Sequence, residues 1–361
     1  MKEIFCGDYS VYIGNEAFDL LEKYITQNNF STLVLIADQQ TYTYCFDYFR
    51  NRVPAAQNCV IYTFPPGEKS KTLATCTDIW NFLSEQKTDR DALVINLGGG
   101  VVTDLGGFVA ATYQRGIKYI NIPTSLLAKV DASVGGKTGV DFNGLKNQIG
   151  VIKNPEMVLI DSQFLKTLPQ AELHSGIAEV LKHGLISASN YWSEVTAKKL
   201  GYDSDWDTIV YQSVVIKNAI VTQDSNEQNI RKHLNFGHTL GHAIESYCML
   251  AQNRTPILHG HAVAIGMVLA CYLSGKYFGF SEKVQSELLS VYYDYYPPTP
   301  FSAEEVQQIL ELMKYDKKNR KGVAQFVLLK DIGKPVLDCE VEESAIKEAF
   351  AYFNEIKKPE L

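Results

Sequence analysis

Short, continuous apolar runs alternate with helix-spaced stretches between residues 1 and 160. Thr32–Ala37, Val60–Phe64, Asp91–Leu97, Tyr119–Ile122 and Met157–Ile160 read as strands. Most are closed by an acid, proline or glycine: Asp38, Pro65-Pro66-Gly67, Gly98-Gly99-Gly100 and Asp161. Leu73–Leu83 carries apolar residues at helical spacing. Strands that lack polar alternation are buried on both faces, so the pattern predicts a mainly parallel sheet covered by helices on each side.

Near residue 165 the pattern changes. Ala171–Leu185, Trp206–Thr222, His238–Leu250, His261–Phe278, Ser281–Tyr292 and Ala303–Lys314 have helical spacing, and Gln325–Leu329 is the single late strand candidate. Ser302 precedes Ala303-Glu304-Glu305 as a helix N-cap with acids in the first turn. The sequence therefore predicts an α/β domain over 1–165 followed by a mainly helical domain over 166–361. No flexible linker separates them, which predicts a shared cleft.

The 361 residues suit two domains at roughly 150 residues each. A chain of this length buries about three quarters of its unfolded surface, so it needs neither disulfides nor a metal to hold a core. With 34 Lys and Arg against 41 Asp and Glu, the net charge is −7. That balance argues against a nucleic-acid partner; an anionic ligand needs a local cationic site. The seven cysteines form no C-x-x-C pair and read as reduced thiols of a cytoplasmic protein. The first residues carry no signal-like apolar run. Ala262–Leu273, the longest apolar stretch, falls short of the about 20 residues that span a bilayer, which argues against a membrane segment.

Three blocks carry candidate chemistry. Gly98-Gly99-Gly100-Val-Val-Thr-Asp104 follows a strand and opens a helical segment, a context in which backbone N–H groups can meet a phosphate. It is not G-x-G-x-x-G, and a tight turn that only packs helix on strand is equally open. From Gln114 to Ile149, Arg115, Lys118, Lys129, Lys137 and Lys146 alternate with Asp131, Asp141, Asn143 and Asn147 among glycines. This reads as an irregular polar loop suited to an oxygen-rich anion. The third block is histidine-rich: all seven histidines lie between His174 and His261. His238 and His242, at i and i+4, share a helical face, which makes both candidate metal ligands. His259 and His261 point different ways, so one of them faces the site. Glu179 and Glu245 compete as carboxylate ligands. Nitrogen and oxygen donors without thiolate suit zinc or cobalt.

Together these blocks resemble the 3-dehydroquinate synthase family. The resemblance rests on Pro66-Gly-Glu-Lys-Ser-Lys71, Gly98–Asp104, Tyr113-Gln-Arg-Gly116, Pro123-Thr-Ser-Leu-Leu127, Val130–Thr138, Gly144-Leu-Lys-Asn147, Ser175–Lys182, Leu234–His242 and Leu258-His-Gly260. It implies a Rossmann-like N-terminal nucleotide-binding domain, a C-terminal helical metal and substrate domain, and a homodimer. It implies NAD and one divalent metal as cofactors. The implied metal ligands are Glu179, His238 and His259, with His242 moved to the substrate. Implied cofactor contacts are Asp38, Glu68, Lys71, Gly99, Gly100, Val101, Asp104, Thr124, Ser125, Lys146, Phe164 and Thr167. Implied substrate contacts are Asp131, Lys137, Asn147, Lys182, Lys217, Arg231, Asn235 and His242, with Lys317 or Lys318, and Arg115 reaching a neighbouring subunit's site. The implied reaction turns 3-deoxy-D-arabino-heptulosonate 7-phosphate into 3-dehydroquinate and phosphate, in the shikimate route to aromatic amino acids. It runs by transient oxidation, β-elimination, re-reduction and aldol closure. The chain departs from the family pattern at His261, His183 and Ser125. Rival readings are a related sugar phosphate cyclase such as a 2-deoxy-scyllo-inosose synthase, an NAD-dependent polyol dehydrogenase, and a non-enzymatic binding protein.

Overall fold

A sheet made of uninterrupted apolar strands must be covered on both faces, and the first part of the chain supplies the helices that do so. The computed structural model describes residues 1–143, 145–187, 190–225, 227–313 and 324–355. The elements run β1 (Lys2–Phe5), β2 (Ser10–Ile13), α1 (Ala17–Gln27), β3 (Leu33–Asp38), α2 (Gln39–Arg52), β4 (Val60–Phe64), α3 (Leu73–Glu85), β5 (Leu93–Gly98), α4 (Gly100–Thr112), β6 (Lys118–Pro123), β7 (Lys137–Phe142), β8 (Leu145–Ile152) and β9 (Met157–Ile160). The main sheet has the order β1-β2-β9-β6-β5-β3-β4, parallel except for the β1–β2 pair. Alternate residues of one strand feed opposite cores. Leu35, Ile95 and Ile120 pack with Phe18 and Phe49 of α1 and α2. Val34, Val94 and Tyr119 pack with Ile79 and Leu105 of α3 and α4.

The predicted strands and the first helix all form, with ends shifted by a residue or two. The polar block does not stay irregular, and this corrects the expectation of a loop from Gln114 to Ile149. Part of it is the antiparallel hairpin β7–β8. Gly139 lies opposite Gly150, and a Cβ on Gly139 would lie 2.5 Å from Ile149 O. The glycines thus serve close strand pairing rather than disorder.

The second part of the chain is helical: α5 (Gln170–Ile186), α6 (Asn190–Thr196), α7 (Trp206–Gln223), α8 (His238–Leu250), α9 (His259–Phe278), α10 (Glu282–Tyr295), α11 (Ala303–Met313), the hairpin β10 (Gln325–Leu329) and β11 (Pro335–Glu340), and α12 (Glu343–Glu355). Two compact units result: Met1–Pro169 with Ser204–Asn218, and Gln170–Asp203 with Ala219–Leu361. Most of α7 therefore belongs with the α/β unit, although the sequence places it in the helical domain. In the helical unit α9 packs against α5, α8, α10 and α12. Its apolar length serves that core.

Two glycines set the closest approaches. A Cβ on Gly260 would lie 1.9 Å from Ser175 O of α5, and a Cβ on Gly266 would lie 2.0 Å from Gly237 O at the start of α8. Only glycine lets α9 come this near to both neighbours, and that brings His259 to the helices that carry Glu179 and His238.

Candidate active site

In the α/β unit the chain steps from β3 out to β4, then returns to the other side of β3 with β5 and continues through β6 and β9. The order therefore reverses between β3 and β5, and ligands of open parallel sheets bind beyond the strand ends at such a point. Those ends are Asp38 and Gly98. Gly99 then caps α4 without a side-chain acceptor, so the N-cap residue leaves the first N–H groups of this helix uncovered. A Cβ on Gly99 would meet Ser125 Oγ at 3.3 Å, and one on Gly100 would meet Ala132 Cβ at 3.3 Å. The Thr124 N–H donates to Gly98 O (2.9 Å). A bare helix N-terminus with a glycine cradle at the switch point fits a dinucleotide's phosphates.

The other cofactor candidates surround this edge in two ways. Asp38 accepts from the N–H groups of Gln40 and Thr41 (2.9 Å each) and so caps α2. Lys71, buried, donates to Asp104 Oδ2 (2.7 Å) and Asn147 Oδ1 (2.6 Å), and Lys146 pairs with Glu68 at 3.2 Å. Burial works to lower the Lys71 pKa, but the Asp104 and Glu68 carboxylates raise it above the usual lysine value. Burial pushes the Asp104 carboxyl up against the pull of Lys71. Val101 is half-buried. Phe164 is buried among aromatic rings of the core, and Thr167 donates to Phe164 O.

Among the substrate candidates of this unit, Lys217 pairs with Asp131 Oδ1 (2.8 Å) and also donates to Asp131 O. Asn147, at φ +51, donates its N–H to Asp141 Oδ1. Lys137 opens β7 and is exposed. Arg115 is exposed in a turn where Gln114 and Arg115 are both left-handed, at φ +49 and +70, a conformation that costs free energy for any residue but glycine.

The helical unit gathers four predicted groups. Glu179, on α5, is wholly buried. Its Oε2 pairs with Lys182, one turn along. Its Oε1 faces His238 Nε2 at 3.3 Å and His259 Nε2 at 3.6 Å. His242 completes a ring of three imidazoles whose ligand atoms lie within 4.8 Å of one another. On the far side of each ring, His238 Nδ1 lies 3.1 Å from Phe236 O and His259 Nδ1 lies 3.1 Å from Glu245 Oε2. A carbonyl can only accept, so Nδ1 of His238 carries a proton and directs Nε2 toward Glu179. Burial and Lys182 depress the His238 pKa. Burial works to raise the Glu179 pKa, but Lys182 and the histidines hold it well below the ordinary range. A buried carboxylate oxygen thus lies 3.3 and 3.6 Å from two imidazole nitrogens. The donor set fits a divalent metal.

Sequence spacing set Glu245 as a rival ligand. Its Oε2 lies behind the His259 ring, at Nδ1, where a carboxylate can orient an imidazole. Arg231 is buried and donates to Ser225 O (2.6 Å), and Asn235 donates to Glu227 (2.8 Å). His261 points away from His259 and stacks on Tyr296 at 5.1 Å, where burial drives its pKa down to about 4. Lys317, Lys318 and Gly144 lie outside the described residues.

Residues 61–175 match the family described as 3-dehydroquinate synthase N-terminal, and residues 176–319 match 3-dehydroquinate synthase C-terminal. The 3-dehydroquinate synthase of Parabacteroides distasonis is 42% identical over 97% of the chain and 99% of its own length.

The chain belongs to the 3-dehydroquinate synthase family.

Two solved structures share its fold. A 2-deoxy-scyllo-inosose synthase, complexed with carbaglucose-6-phosphate, NAD+ and Co2+, superposes with a TM-score of 0.84 at 23% identity over 97% of this chain and 99% of that one. The 2-epi-5-epi-valiolone synthase of Streptomyces hygroscopicus, with NAD+ and Zn2+ bound, gives 0.80 at 23% identity over 98% of each chain. At that identity the likeness concerns the fold alone.

Proposed function

We propose that the chain converts 3-deoxy-D-arabino-heptulosonate 7-phosphate to 3-dehydroquinate and phosphate, using NAD and one zinc or cobalt ion. The observation that carries the reading is the Glu179 carboxylate facing His238 and His259 in a chain of this family. In this reading Glu179, His238 and His259 hold the metal, and His242 turns to the substrate. The edge formed by Asp38, Gly99, Gly100 and Thr124 receives the dinucleotide. When bound, NAD accepts and returns a hydride, and the metal supplies Lewis acidity at the substrate hydroxyls.

The chain's own residues bind, orient and move protons. Lys137, Lys182, Lys217 and Arg231 neutralise the carboxylate and phosphate ends, where charge-assisted bonds are strongest, and Asn235 adds an amide donor. Asp131 anchors Lys217, so it orients that ammonium rather than acting as a free base. Lys182 holds Glu179 ionised and in this reading also contacts the substrate. Lys137 or His242 assists proton transfer. The same reading implies a cytoplasmic homodimer in which Arg115 serves the neighbouring copy, with no nucleic acid or membrane as partner.

The competing cyclase reading is tested by substrate choice. With NAD and zinc present, phosphate is expected from the heptulosonate phosphate and none from glucose 6-phosphate. Release from glucose 6-phosphate alone would overturn the assignment.

A further inference from the structure

Lys129 is fully buried, yet no side-chain carboxylate forms an ion pair with it among the described contacts. Its ammonium instead donates to two main-chain carbonyls, Pro123 O at the end of β6 and Asp161 O (3.0 Å) just past β9. It also lies 5.3 Å from the centre of the Phe164 ring. A buried charge held by neutral acceptors is costly to keep unless it secures something.

What it secures is visible in the sheet. β6 and β9 pair over only two positions, Ile120 with Met157 and Asn121 with Val158. Beyond Asn121 the β6–β9 ladder ends, although both strands continue to their carboxyl ends. Lys129 bridges the two strands there. On one side Pro123 leads into Thr124, whose N–H holds Gly98 O, and Ser125, whose Oγ faces Gly99. On the other side Asp161 opens the turn that carries Phe164 and Thr167. It accepts from the Gln163 N–H (2.8 Å) and the Tyr48 hydroxyl (2.6 Å). One ammonium therefore ties together the two segments that flank the proposed dinucleotide edge.

We infer that Lys129 is a positioning residue for the dinucleotide site, holding the ends of β6 and β9 at the spacing that the cofactor requires. The inference rests on the NAD reading above. Burial lowers the Lys129 pKa to about 8, with Asp161 working the other way, consistent with an ammonium held by carbonyls rather than by an ion pair.

The test is NAD binding to the purified protein, read by calorimetry, with zinc affinity and thermal unfolding measured alongside. Lys129→Met removes the donors at similar length; Lys129→Gln keeps an amide donor. The expected result is a Kd for NAD raised about tenfold by Lys129→Met and about threefold by Lys129→Gln, with zinc affinity unchanged. Should the Met variant fail to fold, the Gln variant alone decides by the same shift. A lowered melting temperature with an unchanged Kd for NAD would overturn the inference and make Lys129 a structural residue only. A wild-type protein that binds no NAD would overturn the cofactor reading itself, and the inference with it.

Discussion

A buried carboxylate oxygen 3.3 Å from His238 Nε2 and 3.6 Å from His259 Nε2 makes with them a nitrogen and oxygen donor set that suits a divalent cation. Glu179 meets two of these imidazoles, and Glu245 meets the back of one. His259 differs from His261, two positions on, in what its ring meets. One ring faces Glu179; the other is stacked on Tyr296 with Tyr292 and Thr299 at its Nε2. Metal content by atomic absorption is expected to drop to background in His259→Ala and to stay at the wild-type level in His261→Ala. Glu245 carries a graded expectation. If it only orients His259, Glu245→Ala weakens zinc binding by about 10–100-fold, and Glu245→Gln, which still accepts from Nδ1–H, weakens it less. Equal and complete loss in both would make Glu245 a ligand. The i, i+4 spacing of His238 and His242 located this site in the sequence. The groups behind the rings, Phe236 O at His238 and Glu245 at His259, come from the fold, and no spacing encodes them.

Among the elements, the long apolar strands and amphipathic helices were legible because burial on both faces leaves one unmistakable pattern. The short strands β1 and β2 were not, because four residues carry little periodic signal; α1 and α12 were missed although their buried stripes, Phe18, Leu21 and Ile25 and Ile346, Ala349 and Phe353, have helical spacing. The hairpin β7–β8 was masked by its charge, although Asn143-Gly144 between Phe142 and Leu145 is the strongest short hairpin signal a sequence offers. Capping was legible at α11. Glu305 N–H donates to Ser302 Oγ (3.3 Å), and Ser302 N–H donates to Glu305 Oε2 (2.8 Å), a reciprocal box. The same carboxylate receives Arg254 at 2.6 and 2.5 Å and the Tyr247 hydroxyl at 3.1 Å. Its hydrogen bond to Arg254 brings the Glu305 pKa down to about 2 against the effect of burial. A carboxyl held below its unfolded value adds stability above about pH 4.5, and that stability is lost as the pH falls toward 2. Glu305→Gln is expected to lower unfolding stability by about 2 kcal/mol near pH 7. In urea titrations the difference from wild type should shrink as the pH falls from 4.5 toward 2. A difference that stays constant over that range would show that the pairing contributes nothing through charge.

For the molecule as a whole, the net charge of −7 argues against a polyanion partner and is compatible with a small dianion. The cations are held locally: Lys217 by Asp131, Lys182 by Glu179, Lys71 by Asp104. Each is buried beside an acid, so the net charge does not describe these sites, which depend on local pairs. All seven cysteines are free, and burial pushes the thiols of Cys6, Cys45 and Cys59 up to about 11, so these are packing residues rather than nucleophiles. Family membership was legible from separated motifs. The division into units was less so, because Ser204–Asn218 returns to the α/β unit through contacts that are distant in sequence. The central claim, a lyase that borrows a hydride and gives it back, is tested by one ratio: phosphate released to NADH accumulated, with the heptulosonate phosphate in excess and NAD substoichiometric. Many phosphates per NAD with no net NADH, abolished by a chelator and restored by zinc or cobalt, is the predicted result. NADH rising in step with substrate consumed would contradict it and make the protein a dehydrogenase.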